Sequence, residues 1–328
     1  MKTRDQAVEP FVYIVGAGRS GTTLLMSMLD AHEEIAMLPE TAFIRRYLTR
    51  QRQVAKASTV RRLLGEDRLL KRLDLQSCLL DEFAACPSSE VAWSDVYRTI
   101  LRLHGTRTGK RHVGGKDPKT VECLPVLCQA FPSVKVIHMI RDPRDVFLSR
   151  QKADWSANRH WFAHAMAYRI HFGLGQRAKR ELPVGSYEEV KYEELVRDPV
   201  TTLQRLCAFL GVEYDHGMLR FHETAARLVA EDEAAWKANV LRPLLRDNTG
   251  KWRSALSPTQ LLRIESVCHP VFQQGYYIPN RTDLPLGSMI FSLTLRFLAR
   301  TAEWTYSLRP VRGTRWRHLP LARRDDPG

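Results

Sequence analysis

The stretch Phe11 to Thr23 reads FVYIVGAGRSGTT, and LLMSMLDAH follows it. Its residue types suit one task above all, holding a phosphate. Gly16, Gly18 and Gly21 let the backbone turn tightly and approach a ligand. Arg19 puts a cation inside the turn, and Ser20, Thr22 and Thr23 add hydroxyls. From Gly16 to Gly21 the spacing fits the first part of G-x-x-x-x-G-K-[ST]. It then departs, because Thr22 stands where the lysine belongs. In nucleoside triphosphate enzymes that lysine reaches the β- and γ-phosphates and the next hydroxyl holds Mg²⁺. Its loss speaks against a triphosphate donor and for a ligand with one 5′-phosphate and one transferable group. Three more places carry chemistry-bearing side chains: Arg141 and Ser149, eight residues apart; Glu40 in Pro39-Glu40-Thr41; and Lys116 in Gly115-Lys116-Asp117-Pro118. Taken singly, each has an ordinary alternative: a β–α turn that binds nothing, an Arg141–Asp142 loop salt bridge, a helix-capping Glu40, a surface Lys116.

The elements around these residues give them a common address. Five apolar residues, Phe11 to Val15, predict a buried strand, and helical spacing restarts at Thr22. Strand, glycine turn and helix together aim backbone N–H groups at a phosphate. Glu34 to Leu38 predicts a short strand, His112 to Gly115 another, VKVIHMI at 134–140 a strong one and Tyr187 to Lys191 a weaker one. Helices are predicted over Val121 to Phe131, from near Val146, and over Leu195 to Leu210, with Asp198-Pro199 as a start signal and Gly211 as the stop. Phe43 to about Leu103 reads as mostly helical, a cap on the sheet. Strands alternating with helices predict an α/β fold: a P-loop-like three-layer architecture with a central, mainly parallel sheet, helices on both faces and a helical cap at about 44–108. Ligands of such sheets bind beyond the carboxyl ends of the strands, where all of the turns above fall.

The turn RSGTT followed by LLMSMLDAH resembles the 5′-phosphosulfate-binding loop of sulfotransferases. The motifs are most similar to those of the tyrosylprotein sulfotransferases, from Arg19 through Asp30, His32, Glu40 and Thr41. The resemblance covers roughly residues 10 to 280 and is thin in the cap. It implies a donor, 3′-phosphoadenosine 5′-phosphosulfate, and an acceptor hydroxyl (sugar, lipid, phenol or peptide). It implies that Arg19, Ser20, Gly21, Thr22 and Thr23 take the 5′-phosphosulfate, and that Arg141 with Ser149 clasps the 3′-phosphate. Glu40 then corresponds to the catalytic base, and Lys116, with Arg19, to the cation on the leaving oxygen. Many small-molecule sulfotransferases use a histidine as base, for which His104 and His112 stand as candidates. Gly250-Lys251-Trp252-Arg253 resembles the loop that closes over the nucleotide, with Lys251 reaching the 3′-phosphate and Thr249 and Arg253 as equal candidates. The usual arginine-lysine-glycine triplet is absent there. Tyr192-Glu193-Glu194-Leu195 matches a family segment read as structural. No metal is expected. The alternatives are a P-loop nucleoside or small-molecule kinase and a non-enzymatic basic adaptor for membrane or nucleic acid.

Composition bounds the rest. The 328 residues suffice for a sizeable core, and 44% hydrophobic content is ordinary. The net charge of +14 points to acidic ligands, nucleic acid or an anionic surface. Nucleic acid is not expected, since no stacking aromatics interleave a basic sheet signature. Six cysteines without a CxxC pair predict free thiols and no zinc site. The polar start MKTRDQAVEP leads directly into the first strand, so neither leader nor anchor helix is expected; a cytoplasmic protein is expected, and the resemblance implies a soluble member of bacterial type. Residues 1–285 are expected to form the sulfotransferase domain, and 286–328 a basic, aromatic extension. In that extension Met289, Ile290, Phe291, Leu293, Leu295, Phe297, Leu298 and Trp304 mix with Arg296, Arg300, Arg309, Arg312, Arg315 and Arg317. Two readings stand: an interfacial helix on an anionic membrane, making the enzyme peripheral, or a helix packed on the domain followed by a basic end. A homodimer is left open.

Overall fold

The computed structural model describes residues 11–49, 54–71, 73, 75–84, 89–153, 156, 158–229, 238–280 and 285–308. The strands among them are β1 (Val12–Gly16), β2 (Ile35–Met37), β3 (Val54–Lys56), β4 (Glu90–Ala92), β5 (His112–Lys116), β6 (Lys135–Ile140) and β7 (Tyr187–Lys191). Five of them form a sheet in the order β2-β5-β1-β6-β7, and every pairing in it is parallel.

The continuous apolar run of β1 follows from burial on both faces. Tyr13 and Val15 face one cluster, with Phe43, Tyr47, Trp93 and Tyr97 from the cap region. Val12 and Ile14 face the other, with Leu25 and Leu29 of the helix Thr22–Asp30 and Leu203 and Leu206 of the helix Pro199–Leu210. The cap's aromatic rings stack, Phe43 on Tyr97 at 5.1 Å and Tyr47 on Trp93 at 4.6 Å between centroids.

Local structure departs from the expected pattern at three places. The cap is not helical throughout: β3 and β4 pair antiparallel, and Ile44–Leu48 is a π-helical turn. Residues 118–131 form a 3₁₀ turn, Pro118–Cys123, before the helix Leu124–Ala130, since Pro125 limits the N–H groups available to one continuous ladder. Residues 192–210 form two helices, Tyr192–Arg197 and Pro199–Leu210. Pro199 forces the break, and the Asp198 side chain accepts from Thr201 N at 3.2 Å to start the second.

Asp30 and His32 of the LDAH stretch tie the fold together. Asp30 Oδ1 accepts from Met37 N at 2.8 Å, and the His32 ring meets the Glu213 carbonyl at 2.8 Å. The helix Leu286–Leu308 packs on the helix Pro258–Val267, burying Ser292, Leu295 and Ala299. Ser266 and Ser292 hydroxyls meet at 2.8 Å, and Arg169 Nε donates to Glu303 Oε2 at 2.8 Å. Arg309, Arg312, Arg315 and Arg317 lie outside the described residues. Among the described residues no helix is long and apolar enough to cross a membrane.

His138 of β6 is enclosed so closely that a Cβ on Gly175 would lie 2.1 Å from its ring. Burial pushes the His138 imidazole down to about 4, and likewise that of His104. The folded protein therefore resists protonation that the unfolded chain accepts below pH 6.5. Stability held above that pH is lost as pH falls toward 4, at about 1.4 kcal/mol per pH unit for each proton taken up only by the unfolded chain. The melting temperature is expected to fall over this window, and less steeply in His138→Asn than in the wild type. Equal slopes for both proteins would contradict the assignment.

Candidate active site

The side chains singled out in the sequence converge at the carboxyl ends of β1, β5 and β6. Ile14 pairs with Lys116, and Gly16 with Met139. The turn after β1, the Lys116 side chain and Arg141 thus meet at one edge of the sheet. Gly16 (φ 151°) and Gly21 (φ 95°) adopt left-handed backbone that glycine permits, and Arg19 holds φ 79° without being glycine. Ser20 Oγ donates to the Ala17 carbonyl at 2.7 Å and closes the turn. No side chain caps Gly21, so the first N–H groups of the helix Thr22–Asp30 are presented outward as an anion site.

Arg19 bridges the turn to the next element. Its Nε donates to Ser149 Oγ at 3.0 Å, and Arg141 Nη1 donates to its carbonyl at 3.3 Å. Ser149 lies in the helix Pro143–Gln151, whose start is set by Asp142 accepting from Arg144 N. Arg19, Arg141 and Ser149 therefore form one contiguous group on the same side of the sheet. Arg141 stacks on the Tyr192 ring at 4.1 Å, and its Nη2 donates to the Asn248 carbonyl at 2.7 Å. Among the described residues its Nε is a buried donor with no hydrogen-bond partner. Burial first, and then the charge of Arg141, lower the Arg19 guanidinium. Arg150, adjacent to Ser149, is lowered to about 10 by burial, then by Arg159 and Arg19. Crowded buried guanidiniums that repel one another, with a buried N–H still unpaired, are the donor set of an anion site.

Lys116 and Glu40 make the second half. Lys116 Nζ donates to Glu40 Oε2 at 2.5 Å; the lysine side chain is 1% exposed and the glutamate 28%. Glu40 is thus partly exposed while Lys116 is buried against it. Asp117 lies beneath, accepting from Arg45 Nε at 2.5 Å and from Lys119 N at 3.1 Å. Burial, and then the charge of Glu40, push its carboxyl up. A partly exposed carboxylate can accept a proton, and the buried ammonium beside it can stabilise a developing negative charge.

The remaining candidates do not join the group. Lys251 is exposed and precedes the short helix Trp252–Ala255. The late segment reaches the cleft instead through Asn248, with Asn239, Val240, Leu244 and Leu245 lining it beside Thr22, Thr23 and Arg141. Thr249 and Arg253 line a separate cavity, where Arg253 stacks on Trp252 at 4.7 Å. His112 begins β5, at the opposite end of that strand from Lys116, and stacks on Phe11 at 4.0 Å. His104 is buried in the helix Trp93–Thr108, its charge environment set by Arg107 and Asp30.

Sequence reasoning missed three contributors. Tyr192 carries Arg141. Asn248 binds Arg141 by its carbonyl and Tyr192 Oη by its amide at 2.7 Å. Asp145 fixes the late loop by accepting from Gly250 N at 2.6 Å and Trp252 N at 3.0 Å. A carboxylate three residues past Asp142, and Asn248 two residues before Gly250, were the only signals.

A family model described as "Sulfotransferase family" matches residues 10–216. Protein-tyrosine sulfotransferase A of Caenorhabditis elegans is 26% identical over 304 residues, covering 90% of this chain and 75% of the relative. Protein-tyrosine sulfotransferase 1 of Homo sapiens is 24% identical over 285 residues, covering 81% and 70%. Among solved structures, the sulfotransferase domain of the Synechococcus PCC 7002 olefin synthase superposes with a TM-score of 0.62 at 22% identity, over 87% of this chain and 99% of that one. The sulfotransferase domain from the curacin biosynthetic pathway gives 0.58 at 20%, over 83% and 99%. Both share this fold.

Proposed function

The chain belongs to the sulfotransferase family, and from that premise we propose that it transfers a sulfuryl group from 3′-phosphoadenosine 5′-phosphosulfate to an acceptor hydroxyl. The observation that carries the reading is the contiguous group of Arg19, Arg141 and Ser149 at the mouth of the uncapped helix. That arrangement supplies two anion sites, one of backbone amides and one of guanidinium and hydroxyl, as a doubly phosphorylated nucleotide requires.

When bound, the donor supplies an electrophilic sulfur joined to a phosphate leaving group. In this reading the N–H groups of Gly21, Thr22 and Thr23 hold the 5′-phosphate. Arg141 and the Ser149 hydroxyl hold the 3′-phosphate, with Tyr192 and Asn248 fixing the guanidinium. Glu40 takes the acceptor's proton as the new O–S bond forms. Lys116 and Arg19 stabilise the negative charge that builds on the bridging oxygen as the old O–S bond breaks and its electron pair leaves with the phosphate. No chain residue is needed as a covalent carrier in an in-line transfer. The curated relatives are named for protein tyrosine, so a tyrosine peptide belongs in the acceptor panel beside sugars, lipids and phenols.

Transfer of sulfur-35 from labelled donor to that panel tests the reading. Label on a hydroxyl acceptor, without added metal, is expected; hydrolysis of ATP with Mg²⁺ and no sulfur transfer to any acceptor would overturn it. Gly21→Ala tests the cradle. A Cβ there would lie 2.3 Å from the Tyr192 ring, on backbone at φ +95°. The variant is expected to bind 3′-phosphoadenosine 5′-phosphate about 10-fold or more weakly in calorimetry and to lose about 1–3 kcal/mol of stability. Unchanged affinity would remove Gly21 and Tyr192 from the site.

A further inference from the structure

The helix Leu286–Leu308 has two apolar faces. One is covered: Ser292, Leu295 and Ala299 pack on the domain, and Glu303 is paired with Arg169. The other carries Leu286, Ile290, Leu293, Phe297 and Trp304, spaced by four, three, four and seven residues, so they share one side of the helix. Among the described residues nothing covers this second row. Leu286 is 69% exposed, Phe297 70% and Trp304 61%. Arg300 is exposed beside it, Arg296 is half-buried between it and the domain, and the one acidic residue of the helix is Glu303, held inward. Beyond Leu308 the sequence adds six arginines, Arg309, Arg312, Arg315, Arg317, Arg323 and Arg324, against two aspartates.

We propose that this outer face docks the protein on the surface of a bilayer containing anionic lipid. The helix lies in the interface plane, its inner row held by the domain and its outer row among the acyl chains, with the arginines at the headgroups. Packing on the domain and lying on a membrane are therefore compatible, since they use opposite rows of one helix. Charge selects this occupant over a second copy. A two-fold contact through this row would set Arg300 of one copy near the same residue of the other, on chains of net charge +14. An anionic surface turns the same charges into attraction, worth roughly a five-fold gain in partitioning per arginine near the headgroups. The row is too interrupted to span, but its size and its tryptophan suit an interface.

Flotation of the full chain with vesicles tests this. Binding to phosphatidylcholine vesicles carrying one-third phosphatidylserine is expected to exceed binding to pure phosphatidylcholine by about 10-fold or more, and to weaken at high salt. Leu293→Glu with Phe297→Glu is expected to abolish flotation at an unchanged melting temperature. Arg300→Gln should weaken it in the anionic vesicles only. A wild type that floats with neither vesicle, or a double-glutamate variant that floats equally well, overturns the proposal. So does a concentration-dependent dimer in sedimentation equilibrium that the glutamates dissociate, if vesicles are not bound.

Discussion

Glu40→Gln is expected to lower kcat by about 10²–10⁴-fold while nucleotide affinity stays within about two-fold, because a positioned proton acceptor contributes on that scale. The amide preserves the shape of the side chain, and its oxygen can still accept from Lys116 Nζ, now 2.5 Å away. What it lacks is a basic oxygen for the acceptor's proton. The anion sites proposed for the nucleotide lie on the Arg19–Arg141–Ser149 group, none of which bonds to Glu40 through the contacts described above. Chemistry and donor binding are thus separable by one substitution. Single-turnover sulfur transfer and calorimetry on the same preparation measure both. A variant whose kcat stays within about three-fold, with a lower melting temperature, would make Glu40 a partner that merely holds Lys116.

Arg141→Ala is expected to weaken binding of 3′-phosphoadenosine 5′-phosphate by about 10²-fold or more, since truncating a buried, hydrogen-bonded charge costs about 2–5 kcal/mol of binding. Arg141→Lys should recover little of it. Lysine cannot reproduce the planar stack on Tyr192 at 4.1 Å together with the bonds to the Arg19 and Asn248 carbonyls. The loss should shrink for adenosine 5′-phosphate, which has no 3′-phosphate to lose. Equal losses for both nucleotides would move Arg141 from the 3′ site to a general role in shaping the turn.

The readable parts of this molecule are those whose structure and chemistry occupy one short stretch. Phe11 to Thr23 carries its strand, its turn and its helix start in sequence order, so both the local fold and the anion site could be read together. Arg141 and Ser149 were legible because a strong strand precedes one and a helix holds the other. Their contact with Arg19 Nε and the Arg19 carbonyl is long-range and had no sequence signal. Tyr192 looked structural because it starts a helix; its ring lies under Arg141, a contact that only packing reveals. In the late loop a search for a cation favours Lys251, which is exposed, whereas the Asn248 carbonyl and amide meet Arg141 and Tyr192, and Asp145 from another element holds the loop. The hairpin of β3 and β4 escaped because each strand has three residues and 33 residues separate Lys56 from Glu90. Short strands paired across such a gap leave no periodicity in either segment.

The central claim is a pocket for adenosine carrying phosphates at both 3′ and 5′ positions. Calorimetric titration of the full chain with 3′-phosphoadenosine 5′-phosphate, adenosine 5′-phosphate and ATP, each with and without Mg²⁺, addresses it directly. The account predicts metal-independent binding of the bisphosphate, about 10²-fold or more tighter than that of the 5′-monophosphate. Tightest binding to ATP, and only with Mg²⁺, would contradict it.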